Sequence, residues 1–396
     1  MTKTIRRTLS FLLALGLALG LVFSLSGCGS SDPPLEKTTA APGETAPGSP
    51  ARQPIPADKI IVGILHIGSV KDVSGYTYAH NKGFEEMKQA LGLRDDQVVI
   101  RDNVDDSNVS ATKIALQQLV DEGCDVIFAT SYNYMQSVDE FAKEYPDVVF
   151  SHCSGYMSNE TNFNNYFGRI YEARYLAGIA AGLKMKADGK PLAGYVAAMD
   201  SSNSEVTGGV NAWALGIQSV YPEAVVKVKV TGSWYDPEAE AAAAKALIDA
   251  GCYVIGQHCD TDGPQTTAQQ NKVFGCGYNS DMTAAAPDAH LCAPIWNWGV
   301  YYTRAVQDVV NGSWAPVNYF GGMKEGLVGL SDLNEKSVAE GTAQAIEAAR
   351  QKIIDGSLIV FDTGMKKADG TSFDYPLSDA EITGQINYYV KGVELL

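Results

Sequence analysis

From Lys59 onward the chain alternates two kinds of hydrophobic pattern. Short runs of consecutive apolar and β-branched residues, "KIIVGILHI", "QVVIRDN" and "CDVIFATS", are separated by longer stretches, Tyr78 to Leu91 and Val109 to Glu122, in which apolar residues recur every three or four positions. Continuous apolar runs suit strands covered on both faces, and the helical period suits helices that lie against them. The pattern then restarts: "PLAGYVAAM", a helical stretch from about Ser204 to Val220, "AVVKVKVTG", a second from Pro237 to Ala250, and "CYVIGQH". Such alternation predicts parallel sheets wrapped by helices. Two segments, "LQQLVDEGCDVIFATSY" and "AKALIDAGCYVIGQHCD", share helix, Gly-Cys break, apolar strand and polar exit. The expected architecture is therefore two similar α/β lobes, one centred on residues 59–165 and the other on 190–290. A helix from about Leu333 to Asp355 and the tail after it are expected to brace them.

In open α/β sheets ligands sit beyond the carboxyl ends of the strands. The strand exits here read "HIGSVKDVSGYTY", "TSYNYM", "GSWYDP", "QHCDTDGP" and "GYNSDM". Aromatic residues and aspartates recur among them, as a cleft for a flat, neutral, hydrogen-bonding ligand would need. Taken singly, each reads equally well as a turn. The aromatic stretch "APIWNWGVYY" stays open in the same way, between core and binding surface.

The amino terminus follows other rules. Lys3, Arg6 and Arg7 precede an apolar run from Phe11 to Leu25, the layout of an export signal. Its end, Leu25-Ser26-Gly27-Cys28, resembles a bacterial lipobox, so residues 1–27 are expected to be removed and Cys28 to be lipidated; several acyl chains on one residue anchor stably. Residues 28–58 are rich in Pro, Ala, Thr, Ser and Gly and suit a flexible tether. That leaves 59–396 as the folded part, with no later run of about 18 apolar residues to cross a bilayer.

Composition narrows the function. The formal charge is −16, and removal of residues 1–27, with three basic and no acidic residues, takes it to −19. Phosphate backbones are bound by clustered Lys and Arg, so no nucleic-acid partner is expected. Apart from Cys28, six cysteines are scattered without a CxxC, and no HExxH occurs. His258-Cys259-Asp260 are adjacent on a strand end and diverge, so neither a metal nor another cofactor is expected.

Several stretches are similar to those of the basic membrane protein (BMP) lipoproteins, the substrate-binding components of ATP-binding-cassette (ABC) importers for purines: "GRIYEARYLAGIAAGLKMK", "YPDVVF", "GGVNAWALGIQSVYPEAVVKV", "WYDPEAEAAAAKALIDAG" and "WAPVNYFGGMKEGLVGL". The resemblance runs from Lys59 to about Leu330. It implies two Rossmann-like lobes with parallel sheets joined by a hinge, of the type I periplasmic-binding-protein kind, closing on a ligand without chemistry. It also implies a permease partner and a lipid-anchored position on the extracytoplasmic face of the cell membrane.

Carried over residue by residue, the resemblance places Tyr76 where nucleoside-binding members stack an aromatic on the purine. Their "GxDxD" turn, whose Asp holds the ribose, reads "GYNSD" here, with Tyr278 at the Asp position, and their ribose-holding Lys falls at or next to Trp296. Aromatics in place of both charges point to a nucleobase, adenine-like, with a purine nucleoside as the alternative. Tyr76, Trp234 and Trp296 are the expected stackers, Tyr132 and Tyr278 walls or hydroxyl donors, and Glu172, Asp260 and Asp281 the edge readers. Glu172 reads equally as an ion-pair partner of Arg174, and Asp281 as a helix cap or turn residue. Trp298 shares a face with Trp296 if the backbone is still extended there; otherwise it opens the next helix and packs as core.

The rival from another class is an exported nucleoside hydrolase. His66, His152 and His258 stand at strand ends, yet no GxSxG elbow, DxD-rich calcium cluster or phosphate loop is present.

Overall fold

The computed structural model describes residues 52–396. The expected export signal, Cys28 and most of the tether lie outside the described residues. The strands are β1 Val62–Leu65, β2 Val98–Arg101, β3 Val126–Ala129, β4 Val149–Cys153, β5 Phe163–Gly168, β6 Leu192–Ala197, β7 Val225–Val230, β8 Val254–Gln257, β9 Phe274–Cys276, β10 His290–Cys292, β11 Pro294–Trp296, β12 Tyr319–Gly321, β13 Val328–Leu330 and β14 Val393–Leu395. The α-helices are α1 Gly75–Leu91, α2 Val109–Asp121, α3 Met135–Glu144, α4 Ile170–Ala187, α5 Ser204–Val220, α6 Pro237–Asp249, α7 Gly263–Gln270, α8 Trp298–Asn311, α9 Thr342–Ile354 and α10 Asp379–Gly384.

Two six-stranded sheets result, ordered β12-β5-β4-β3-β1-β2 and β10-β9-β8-β6-β7-β14. Every pairing within them is parallel. Strands covered on both faces must be apolar throughout, which is why all of β1, β3 and β4 is buried. Each sheet carries a core on its outer face, around Leu116, Phe141 and Phe150 in the first and Leu247 and Ile255 in the second. A third core is continuous through both lobes, joining Val62 and Phe128 to Val226 and Val254 by way of α4, Trp296 and Trp298.

The chain passes between the lobes more than once. It leaves the first after β5 through α4, returns through β11 into α8, and leaves again after β12 through β13. The antiparallel pair β11–β13, with Ile295 opposite Gly329, fastens two of these passages together. Helices α4 and α5 pack backbone to backbone at Gly178 and Gly216, where a Cβ on either residue would run into a carbonyl oxygen of the opposite helix. Only glycine permits that approach.

Two boundaries differ from expectation. Helix α1 begins at Gly75, not Tyr78, so Tyr76 sits on its first turn. Helix α9 begins at Thr342 rather than near Leu333, because its N-cap Gly341 is left-handed (φ 81°) and interrupts any helix through it. The tail contributes β14, which pairs in parallel with β7 and forms the edge of the second sheet.

Candidate ligand-binding cleft

Leaving out the strands supplied from the carboxyl-terminal part, the two sheets have the same order, β2-β1-β3-β4-β5 and β7-β6-β8-β9-β10. In that order the topology reverses between β1 and β3 and between β6 and β8, and ligands bind beyond the carboxyl ends there. The two reversal points meet. The Gly75 amide, after β1, donates to the Ser280 hydroxyl, after β9, at 3.0 Å. Gly75 is left-handed (φ 85°) and lies so close to the Asp260 carbonyl oxygen, after β8, that a Cβ there would collide with it.

A column of rings runs into this junction from the first lobe. Tyr76 stands edge-on to His80 (centroids 4.4 Å, 80°), with its hydroxyl 3.5 Å from the Cys153 sulfur. His80 stacks on Trp298 (4.6 Å, 13°), and Trp298 stacks on Trp296 (4.4 Å, 11°). The Tyr302 hydroxyl anchors the column, 2.5 Å from His80 Nδ1 and 3.0 Å from the Tyr166 hydroxyl. Trp298 is the first residue of α8 and fully buried core, as expected where the extended backbone ends; β11 stops at Trp296 and Asn297 turns (φ −103°, ψ 63°), yet the two indoles still stack.

The second lobe answers with Tyr278, His258 and Trp234. Tyr278 is buried and edge-on to His258 (5.0 Å, 67°), which is edge-on to half-buried Trp234 (5.8 Å, 63°). The Trp296 indole faces the Tyr278 phenol, so the hinge strand β11 links the two sets of rings. Asp260 accepts from the Asn279 side chain at 2.9 Å, and its own amide donates to the Trp234 carbonyl at 2.9 Å. Burial pushes its carboxyl up to about 8, against the pull of the Asn279 bond. Burial also holds His258 well below the ordinary imidazole value, with the nearby Arg174 charge acting in the same direction.

The structure thus brings Tyr76, Trp234, Asp260, Tyr278 and Trp296 to one junction. It places the other three expected residues differently. Tyr132 is 45% exposed on the turn after β3, 6.4 Å from the Tyr156 ring. Glu172 accepts from the Met323 amide at 2.7 Å, beside Arg169, Glu325 and Asp379, and burial raises it to about 7. Asp281 accepts from the Thr283 amide and hydroxyl at 2.8 and 2.6 Å and faces His290, so it shapes its own turn. Arg174 is not the partner of Glu172: its guanidinium lies over the Tyr278 ring, 3.9 Å from the centroid.

Sequence reasoning passed over Asn279 and Ser280, and weighed Arg174 only as an ion-pair partner of Glu172. For Arg174 a signal existed: it sits in α4 among Ala173, Tyr175, Leu176 and Ala177, all buried, and an arginine in such a run has to be held by something. Open hollows on the outside of the first lobe, one between α1 and α8 and one at the end of β2, lie away from this junction.

Comparison with known proteins bears on the family and the fold. Residues 59–363 match the family described as ABC transporter substrate-binding protein, PnrA-like. A purine-binding protein of Brucella abortus is 34% identical over 340 residues, covering 85% of this chain and 93% of the relative. A candidate ABC transporter glucose-binding protein of Haloferax volcanii is 32% identical over 357 residues, 90% of this chain and 85% of the relative. Among solved structures, an ABC transporter solute-binding protein from Conexibacter woesei shares the fold with a TM-score of 0.63 at 18% identity, over 76% of this chain and 97% of that one. Two parallel-sheet lobes meeting at their reversal points, and a match across both of them, place this chain in the PnrA-like (Bmp) family of ABC transporter substrate-binding proteins.

Proposed function

We propose that the chain captures a purine nucleobase between its two lobes and delivers it to the permease of its importer, held by lipid on Cys28 at the outer face of the membrane. The observation that carries the reading is the meeting of Tyr76, Trp296, Tyr278 and Trp234 with buried polar groups at the two topological reversal points. A purine offers two apolar faces and an edge of donors and acceptors, and a site of rings around a few polar groups fits both. The Brucella relative, named for purine binding, supports the same ligand class. Tyr278 and Trp296, 3% and 4% exposed, fill the region that the family resemblance assigns to ribose, which favours a free base over a nucleoside.

The Haloferax relative, named for glucose, gives a second reading. A sugar also stacks on tryptophan and needs Asp and Asn to hold its hydroxyls. Thermal-shift and calorimetric titrations with adenine, hypoxanthine, guanine, adenosine, guanosine and glucose separate the cases. A ligand at a hundred times its dissociation constant stabilises the folded chain by about 2.7 kcal/mol, a readily visible rise in Tm. A free base should give the largest rise; a response to glucose alone would replace the purine reading.

A further inference from the structure

Arg174 is 1% exposed, and its hydrogen bonds are one-sided. Nη1 donates to the Tyr195 hydroxyl and to the Gln257 carbonyl, at 2.5 and 2.9 Å. Nε and Nη2, which together form one edge of the planar guanidinium, have no hydrogen-bond partner. Tyr278 covers one face of the group at 3.9 Å, and Gln257 and His258 place it at the carboxyl end of β8. A cation removed from water with two parallel donors unsatisfied carries a large desolvation cost.

The surroundings point the same way. Neither ring nitrogen of His258, also fully buried, makes a hydrogen bond, and its Nε2 faces the Glu205 carboxylate at 3.5 Å. A Cβ on Gly209 would stand 2.9 Å from Arg174 Nε and 2.8 Å from His258 Nδ1, so α5 passes close beside both groups and only a glycine fits at that point. An arginine edge is matched by two acceptors side by side. On a purine, a carbonyl O6 beside N7 is such a pair, and it is the pair arginine reads on guanine; adenine puts an amino donor at position 6 instead.

We propose that Arg174 is the specificity-determining residue of the cleft, reading the O6/N7 edge of its ligand, so that 6-oxopurines such as hypoxanthine and guanine are preferred to adenine. This rests on the purine reading above and replaces adenine as the expected base.

Calorimetry of the full-length wild-type protein tests it with hypoxanthine, guanine, adenine, 7-deazahypoxanthine and glucose. Hypoxanthine should bind roughly 5- to 150-fold more tightly than adenine, the span associated with one good bidentate contact. The 7-deaza compound, which keeps O6 but has no N7 acceptor, should fall between them. R174K should collapse the hypoxanthine-to-adenine ratio toward one; if it weakens every purine equally and leaves the ratio intact, Arg174 is merely structural and the proposal fails. Should that variant not fold, the wild-type series decides alone. Adenine binding as tightly as hypoxanthine overturns the role of Arg174 and leaves the purine reading standing, whereas glucose binding without any purine overturns both.

Discussion

The Gly75 amide and the Ser280 hydroxyl join the two lobes directly, 3.0 Å apart, with no side chain from Gly75 between them. The contact depends on a residue that is left-handed and lies against the Asp260 carbonyl. Gly75→Ala should therefore do two things: add about 1–2 kcal/mol of backbone strain, and push the lobes apart at their rim. Small-angle scattering should show a larger radius of gyration, and ligand affinity should fall tenfold or more (~1.4 kcal/mol). Ser280→Ala, which removes only the acceptor, should cost about 1 kcal/mol. Equal affinities for Gly75→Ala and wild type would show that this contact has no part in closure.

Trp296 lies at the junction and is also core. It is 4% exposed and stacked on Trp298. Trp296→Ala should lower stability by about 3–5 kcal/mol with or without ligand, as measured by denaturant unfolding. Loss of binding in that variant would say nothing about contact with the ligand. Trp296→Phe, which keeps a ring on Trp298, should retain most of the stability; a specific loss of affinity there would identify a ligand contact.

Tyr132 and Tyr76 were both expected at the ligand, and they now separate. Tyr132 is 45% exposed, whereas Tyr76 packs on His80 and lies next to the Gly75 contact. Tyr132→Ala should leave the unfolding free energy within about 0.5 kcal/mol of wild type and affinity nearly unchanged. Tyr76→Ala should reduce affinity strongly, and a calorimetric comparison of the two reads the difference.

Stability should depend on pH in a specific direction. Asp260 and Glu172 are raised to about 8 and about 7, from 3.8 and 4.5, by burial. Each holds a proton in the folded chain where the unfolded chain has released it, so their contribution is present at low pH and is lost as pH rises to these values. His66, His152 and His290 are depressed by burial to about 4, from 6.5. They act in the opposite sense, destabilising as pH falls from 6.5 to 4, and have no effect above that window. Between about pH 6.5 and 8 the raised acids act without that opposition, and Tm should fall. Asp260→Asn should flatten this fall above about pH 7, and a variant with the same slope as wild type would contradict the raised carboxyl.

Much of the fold was legible because parallel strands covered on both faces are apolar without interruption, as "VGIL" and "VIFA" are. The lobe repeat was legible for the same reason. The start of α9 was not, because the apolar spacing continues through a glycine whose left-handed backbone only the structure reveals. At the junction, Tyr76, Trp234, Asp260, Tyr278 and Trp296 stood out as aromatics and carboxylates at strand exits, a local property of the sequence. Arg174 did not, because its role depends on α4 carrying it to the carboxyl end of β8, a strand eighty residues later in the chain. Asp281 carried the right chemistry in the right segment, yet spends its oxygens on Thr283, and no pattern distinguishes such a turn from a ligand contact.

The pairing of β14 with β7 has a consequence for the order of folding. The first sheet needs β12, at Tyr319–Gly321, and the second needs β14, at Val393–Leu395, so each is completed by a strand made long after its other strands. Contacts so distant in sequence form late, after the entropy of closing a very long loop has been met. The second lobe therefore keeps an open edge along β7 while the chain is still emerging.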